Sequence, residues 1–231
     1  MRHAILSILL MTSLLPTWAQ DDAEYRMEIG GGLGMMGYLG DFNENLTKDL
    51  QPMGTLQARY LLNAYSGWKL TAAYGKMKGS SRDVKTYYPD YADAPYEFSN
   101  GLVDVSLTFE QNLIPYGTGR EYLGAKPLAP FVFGGLSATF VNNGGKDKSS
   151  HFTASLPIGV GVKYKVGDRL NLGVEWAMHF SLSDKLDGVK DPYYVQSSGA
   201  FKNTDCYSTL SLTLTYSFWE RCRVCHNQDE D

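Results

Sequence analysis

Beyond its first twenty residues the chain has no run of eighteen apolar residues, so no transmembrane helix is available to it. Charge is sparse and nearly balanced. The 21 Lys and Arg against 25 Asp and Glu leave a formal net charge of −4, and no basic stretch that would hold a nucleic acid. Catalytic punctuation is missing as well. No G-x-S-x-G accompanies His151 or His179, the histidines of the chain body, so the nucleophile-and-base pairing of a lipid hydrolase or acyltransferase has no sequence support. His179 reads as an interior histidine. Cysteine is rare, and none stands directly after the predicted signal cleavage point, which argues against a lipoprotein.

The N-terminus itself reads as a secretory signal. Arg2 and His3 precede the apolar run 4–15, Pro16 breaks it, and Thr17-Trp18-Ala19 fits small-x-small cleavage, making Gln20 the first mature residue. Residues 1–19 are therefore expected to be signal, 20–219 the folded body and 220–231 a C-terminal tail.

Within that body the dominant signal is strict alternation. From 170 to 182, Leu170, Leu172, Val174, Trp176, Met178, Phe180 and Leu182 share one face, with Asn171, Gly173, Glu175, Ala177, His179 and Ser181 opposite. A tilted strand crosses a bilayer in roughly 9–11 residues. An apolar outside and a small, polar inside describe a transmembrane barrel, whereas a soluble lipocalin-like barrel would reverse the two faces. Mean hydropathy is only −0.27, as expected when half of each strand faces away from lipid.

The pattern recurs at about 24–35, 54–62, 68–77, 101–112, 129–141, 151–165 and 205–218. The predicted fold is all-β: an eight-stranded antiparallel outer-membrane β-barrel with both ends in the periplasm. The stretch 129–141 is ambiguous, since both of its faces are apolar or small. Short links at 63–67 and 166–169 suit periplasmic turns, and 36–53, 79–100, 142–150 and 183–204 suit long extracellular loops. The link 113–128 breaks this rule, being long on the periplasmic side. Tyr60, Trp68, Phe109, Tyr164 and Phe218 fall at periplasmic strand ends facing outward, as an interfacial girdle should.

Eight strands leave a lumen that side chains fill. The inward set includes Glu28, Arg59, Lys69, Asp104, Glu110, Lys163 and Glu175. Arg59, Glu110, Lys163 and Glu175 are the candidates for a charge network plugging it, which disfavours a pore. Asp184, Asp187 and Asp191 could attract calcium, but Lys185 and Lys190 interleave them and a solvated or internally paired loop fits better. Cys222-Arg223-Val224-Cys225-His226 spells the c-type haem attachment motif, yet a short tail offers neither pocket nor second axial ligand. Cys222 and Cys225 fit a local or intermolecular disulfide in the oxidising periplasm, or a docking tail. Cys206 falls at the opposite end of its strand and cannot pair with either.

Several motifs together resemble a known family. They are G-x-x-x-Y-L-G-D at 34–41, G-V-G-V-K-Y-K at 159–165, R-L-N-L-G-V-E-W at 169–176, L-S-D-K-L-D at 182–187 and L-T-L-T-Y-S-F at 212–218. The chain is similar along its mature length to the PorG-type outer-membrane β-barrel family of Bacteroidetes. The resemblance implies a non-enzymatic component of the type IX protein secretion system, without cofactor or catalytic residues. It also implies association with the periplasmic ring of the PorK lipoprotein and PorN, besides outer-membrane lipids. The alternatives are a structural barrel or small channel unrelated to secretion, or a lipid-modifying barrel enzyme. No small-molecule substrate is expected. A filled barrel must act through a surface, so the 113–128 link and the tail with Cys222 and Cys225 are the expected contacts.

Overall fold

Alternating residues of large apolar and small polar type put two different surfaces on each strand, and closure of the sheet decides which one meets the outside. In the computed structural model, described at residues 23–39, 49–80, 97–118, 126–142, 150–182 and 206–220, eight strands form. They are β1 (Tyr25–Leu39), β2 (Gln51–Leu61), β3 (Ser66–Ser80), β4 (Glu97–Asn112), β5 (Leu128–Asn142), β6 (Ser150–Lys165), β7 (Leu170–Ser181) and β8 (Cys206–Glu220). Each pairs antiparallel with the next, and β8 returns to β1, so the sheet is a closed barrel without edges.

The apolar surface faces out. Leu33 is 77% exposed and Leu56 70%, while Glu28, Asp104 and Glu110 are each 1% exposed. A protein surrounded by water would place these groups the other way round; one surrounded by hydrocarbon places them so. Register lines the outer surface with aromatic rows. Tyr60 is opposite Trp68, and Trp68 opposite Phe109, with the last two rings edge-to-face at 5.2 Å. A second row toward the far end joins Phe140 to Phe152, ring centroids 4.8 Å apart. Such rings settle at the two membrane interfaces. Tyr25, at the start of β1, is buried, with Arg169 from the β6–β7 turn over its ring at 5.5 Å.

The strands run longer than the alternation predicts at the end away from the termini. Met36, Tyr38, Met53, Met77, Leu102, Val141 and Tyr207 turn inward there and form one buried cluster. That cluster rewards continued pairing of β1 to Leu39, β3 to Ser80 and β4 from Glu97. At the other end Glu220 still pairs with Tyr25, so β8 runs two residues past the predicted 218. The turn after β2 is held by Asn63, whose Oδ1 accepts from the backbone N–H of Tyr65 (2.8 Å) and Ser66 (2.7 Å), a local bond that Asn favours.

The ambiguous strand β5 is settled by its neighbours. Phe131 pairs with Gly161 and Phe133 with Gly159, and both rings point inward, leaving Val132, Leu136 and Phe140 outside. A Cβ at Gly159 would stand 2.4 Å from Phe133 Cζ, and one at Gly161 2.5 Å from Phe131 Cζ. Those two glycines are the space the rings occupy.

Candidate functional site: the lumen

The periplasmic half of the lumen is an ionic network. Arg59 of β2 donates through Nε to Glu110 Oε2 (2.7 Å), through Nη2 to Glu110 Oε1 (3.2 Å) and Glu175 Oε1 (3.3 Å), and through Nη1 to Glu28. Lys69 reaches Glu175 Oε2 at 2.6 Å and Glu110 Oε1 at 3.1 Å. Lys163 reaches Glu110 Oε2 at 2.6 Å and Asn112 Oδ1 at 3.2 Å. Arg59 and Lys69 stand directly opposite each other in register, a repulsive placement that three surrounding carboxylates make tolerable. The lysines also lie over inward aromatic faces, Lys69 4.0 Å from the Phe133 centroid and Lys163 4.4 Å from that of Phe131. Ions with this many partners hold one another in place, as burial demands.

Above this network the lumen carries hydroxyls. Thr71, Ser106, Ser137, Ser155 and Ser181 follow one another in register around β3 to β7. Asp104 accepts from Thr139 Oγ1 (2.9 Å) and from the Tyr207 hydroxyl (2.8 Å). His179 stacks on Tyr207 with centroids 4.3 Å apart. A cavity of about 40 Å³ lies in this layer, bordered by Thr55, Thr71, Asp104, Ser106, Pro157 and His179 among others.

Both mouths are closed among the described residues. The apolar cluster around Met36, Tyr38 and Tyr207 fills the extracellular end. At the periplasmic end the link after β4 folds back into the opening. Tyr116 packs with Ala23, Leu61 and Ala129, and its hydroxyl donates to Glu28 Oε1 at 2.8 Å. Backbone bonds fix this cap: Tyr116 N to Ala64 O (2.9 Å), Glu24 N to Gly117 O (2.8 Å) and Leu113 N to Pro130 O (2.8 Å). Burial and the neighbouring Glu28 carboxylate push the Tyr116 phenol well above its ordinary range.

The candidates from the sequence fall unevenly on this picture. Arg59, Glu110, Lys163 and Glu175 come together, joined by Glu28 and Lys69. Asp104 stands apart in the hydroxyl layer. Of the 113–128 link, expected as a partner-contact loop, residues 113–118 instead stopper the barrel's own mouth, with Tyr116 2% exposed. An aromatic amid Pro and Gly carries no periodicity, so nothing in the sequence marks Tyr116 as a plug. Cys206 opens β8 at the extracellular end. Cys222, Cys225, the haem-like spelling, the Asp184–Asp191 loop and the signal segment lie outside the described residues. No three His, Cys, Asp or Glu side chains gather as a metal site among the described residues. His179 Nε2 lies 3.4 Å from Thr209 Oγ1, inside the closed lumen.

A closed antiparallel barrel with an apolar exterior, a plugged polar interior and eight strands defines a bacterial outer-membrane β-barrel. Residues 3–227 match a domain of unknown function, DUF6089, and the chain belongs to that family. No curated protein matches it. Among solved structures it is similar to Neisserial surface protein A, with 14% identity over 83% of this chain and 97% of that one and a TM-score of 0.50. It is also similar to the outer membrane protein OprG from Pseudomonas aeruginosa, with 11% identity over 86% and 99% and a TM-score of 0.51. At such identities the likeness is one of fold.

Proposed function

We propose that this outer-membrane barrel is a non-enzymatic component of the type IX protein secretion system, of PorG type, contacting the periplasmic ring formed by the PorK lipoprotein and PorN. The observation that carries the non-transport part of this reading is the lumen. It is stoppered by Tyr116 at one end, by the Met36–Tyr207 cluster at the other and by paired charges between. A barrel so filled acts through its surfaces. The motif resemblance at 34–41, 159–165, 169–176, 182–187 and 212–218 supplies the partner. With Tyr116 turned inward, the tail carrying Cys222 and Cys225 becomes the preferred contact on the periplasmic side.

Deletion of the gene should leave type IX cargo inside the cell, and plasmid-borne wild type should restore export. Co-purification of the periplasmic ring with the barrel should be lost on truncation after Glu220. Normal export in the deletion strain would overturn the secretion role and leave a structural barrel. Changed lipid composition in an otherwise intact His179→Ala strain would favour a lipid-modifying enzyme instead.

A further inference from the structure

The buried charges of the lumen do not balance. Glu28, Asp104, Glu110 and Glu175 stand against Arg59, Lys69 and Lys163, all at most 8% exposed, which leaves one negative charge in excess in this fully buried set; the half-buried Arg26 of β1 adds a cation only at the periplasmic end, six residues along the strand from Gly32, which pairs with Thr55. The excess sits at Asp104. Every other member of the set is in an ion pair, whereas Asp104 has only hydroxyl donors and no cationic partner among the described residues. A lone carboxylate buried in a barrel surrounded by lipid is costly unless something neutralises it.

Beside it lies the cavity of about 40 Å³, whereas one water needs roughly 10–15 Å³. Three atoms on its lining residues have no hydrogen-bond partner: Thr55 Oγ1, Thr71 Oγ1 and His179 Nδ1. Thr55 is 8% and His179 6% exposed. Thr55 and Asp104 share one level of the barrel, each opposite Ala73 in register, and Thr71 and Ser106 pair at the next. Lys69 also borders the space, but its ammonium is taken up by Glu175 and Glu110.

One carboxylate with several neutral hydroxyl oxygens is a hard donor set of low charge. Calcium draws on several carboxylates, and zinc on imidazole or thiolate, and no such group gathers among the described residues. We propose that the cavity binds a single monovalent alkali cation against Asp104, with the Thr55 and Thr71 hydroxyls among its ligands. The ion neutralises the lumen and satisfies oxygens that the protein leaves unpaired. This site is independent of any role in secretion.

Crystals of the full barrel grown in rubidium or thallium(I) salt are expected to show an anomalous peak at Asp104. Urea unfolding in detergent, at fixed pH and ionic strength, is expected to give a higher midpoint in potassium or sodium chloride than in N-methylglucamine chloride. That midpoint should climb with ion concentration as linkage requires. Asp104→Asn should abolish the difference and Thr55→Val reduce it. Absence of the anomalous peak together with identical midpoints in all three salts would overturn the proposal. So would a carboxylic-acid infrared band that disappears in Asp104→Asn, or an imidazolium signal from His179 in ¹⁵N NMR, since either assigns the neutralising charge to a proton. Should Asp104→Asn fail to fold, the scattering and salt series on wild type decide alone.

Discussion

Arg59 of β2 and Glu110 of β4 meet in a two-point contact that bridges over β3, Nε to Oε2 at 2.7 Å and Nη2 to Oε1 at 3.2 Å. The same guanidinium also serves Glu28 and Glu175, so it is the hub of the network. Replacing it leaves Glu28 without a cation and takes one partner each from Glu110 and Glu175, which keep Lys69 and Lys163. Arg59→Met should destabilise the barrel by about 3–5 kcal/mol, the usual consequence of removing one partner from a buried pair. The double variant Arg59→Met, Glu110→Gln keeps the charge sum and should be less destabilised than the two single losses added. Urea unfolding of the four proteins in one detergent gives the coupling. Strict additivity would mean that the two residues do not act as a pair.

Tyr116 couples the periplasmic cap to that network through Glu28. Its phenol is held above its ordinary value, near 10 for a free tyrosine, so the protonated form is favoured in the folded state. The associated stability is fully present below about pH 10 and is lost as pH rises from there through the folded value. Wild type should therefore lose stability above about pH 10 more steeply than Tyr116→Phe, which has no proton to lose. Matched unfolding curves at neutral and alkaline pH measure the difference.

The same side chain fills the mouth. Tyr116→Ala should open a path past Ala23, Leu61 and Ala129. Planar-bilayer recording should give no stable conductance for wild type and at most brief openings for the variant, whose lumen the Met36–Tyr207 cluster and the paired charges still fill. A wild-type barrel with steady conductance would show that the cap does not seal it.

Gly161 leaves its space to Phe131. Gly161→Ala forces a Cβ against the ring and to 2.8 Å from Val174 O, which should cost about 1–3 kcal/mol as overpacking does. Adding Phe131→Leu should recover part of that loss, because the ring is one of the two obstacles. Thermal unfolding followed by circular dichroism separates the single from the double variant.

Val174 points into the hydrocarbon at mid-strand, 46% exposed. Val174→Arg should reduce folding into lipid vesicles by roughly 2–4 kcal/mol, the range for a midplane charge on the lipid face. Equal folding yields would place this face outside the bilayer.

The alternation made seven of the strands legible because each face has a single environment to satisfy, lipid on one side and packed polar groups on the other. β7 begins at Leu170 as its pattern predicts, and β6 ends at Lys165 likewise. β5 resisted orientation because phenylalanine suits either environment. Only the pairing of Phe131 with Gly161, and of Phe133 with Gly159, shows where a ring has room. The 113–128 link was legible only in part, for a related reason. Its length marks it as exceptional, while the inward fold of Tyr116 depends on Ala23, Leu61 and Ala129, which come from other parts of the chain.

The sequence by itself determined the class of this protein. Period-two patterning needs no knowledge of distant partners to state how many strands there are, which side chains turn inward and that the outside is apolar. It also named the charged residues of the lumen, since inward parity is a local property. Which of those charges meet was decided by the tertiary structure alone. Closure and register bring Arg59, Glu110, Lys163 and Glu175 from four different strands to one level and leave Asp104 at another beside a cavity. Strand stagger sets that level, and stagger is a property of the closed sheet that no single strand encodes.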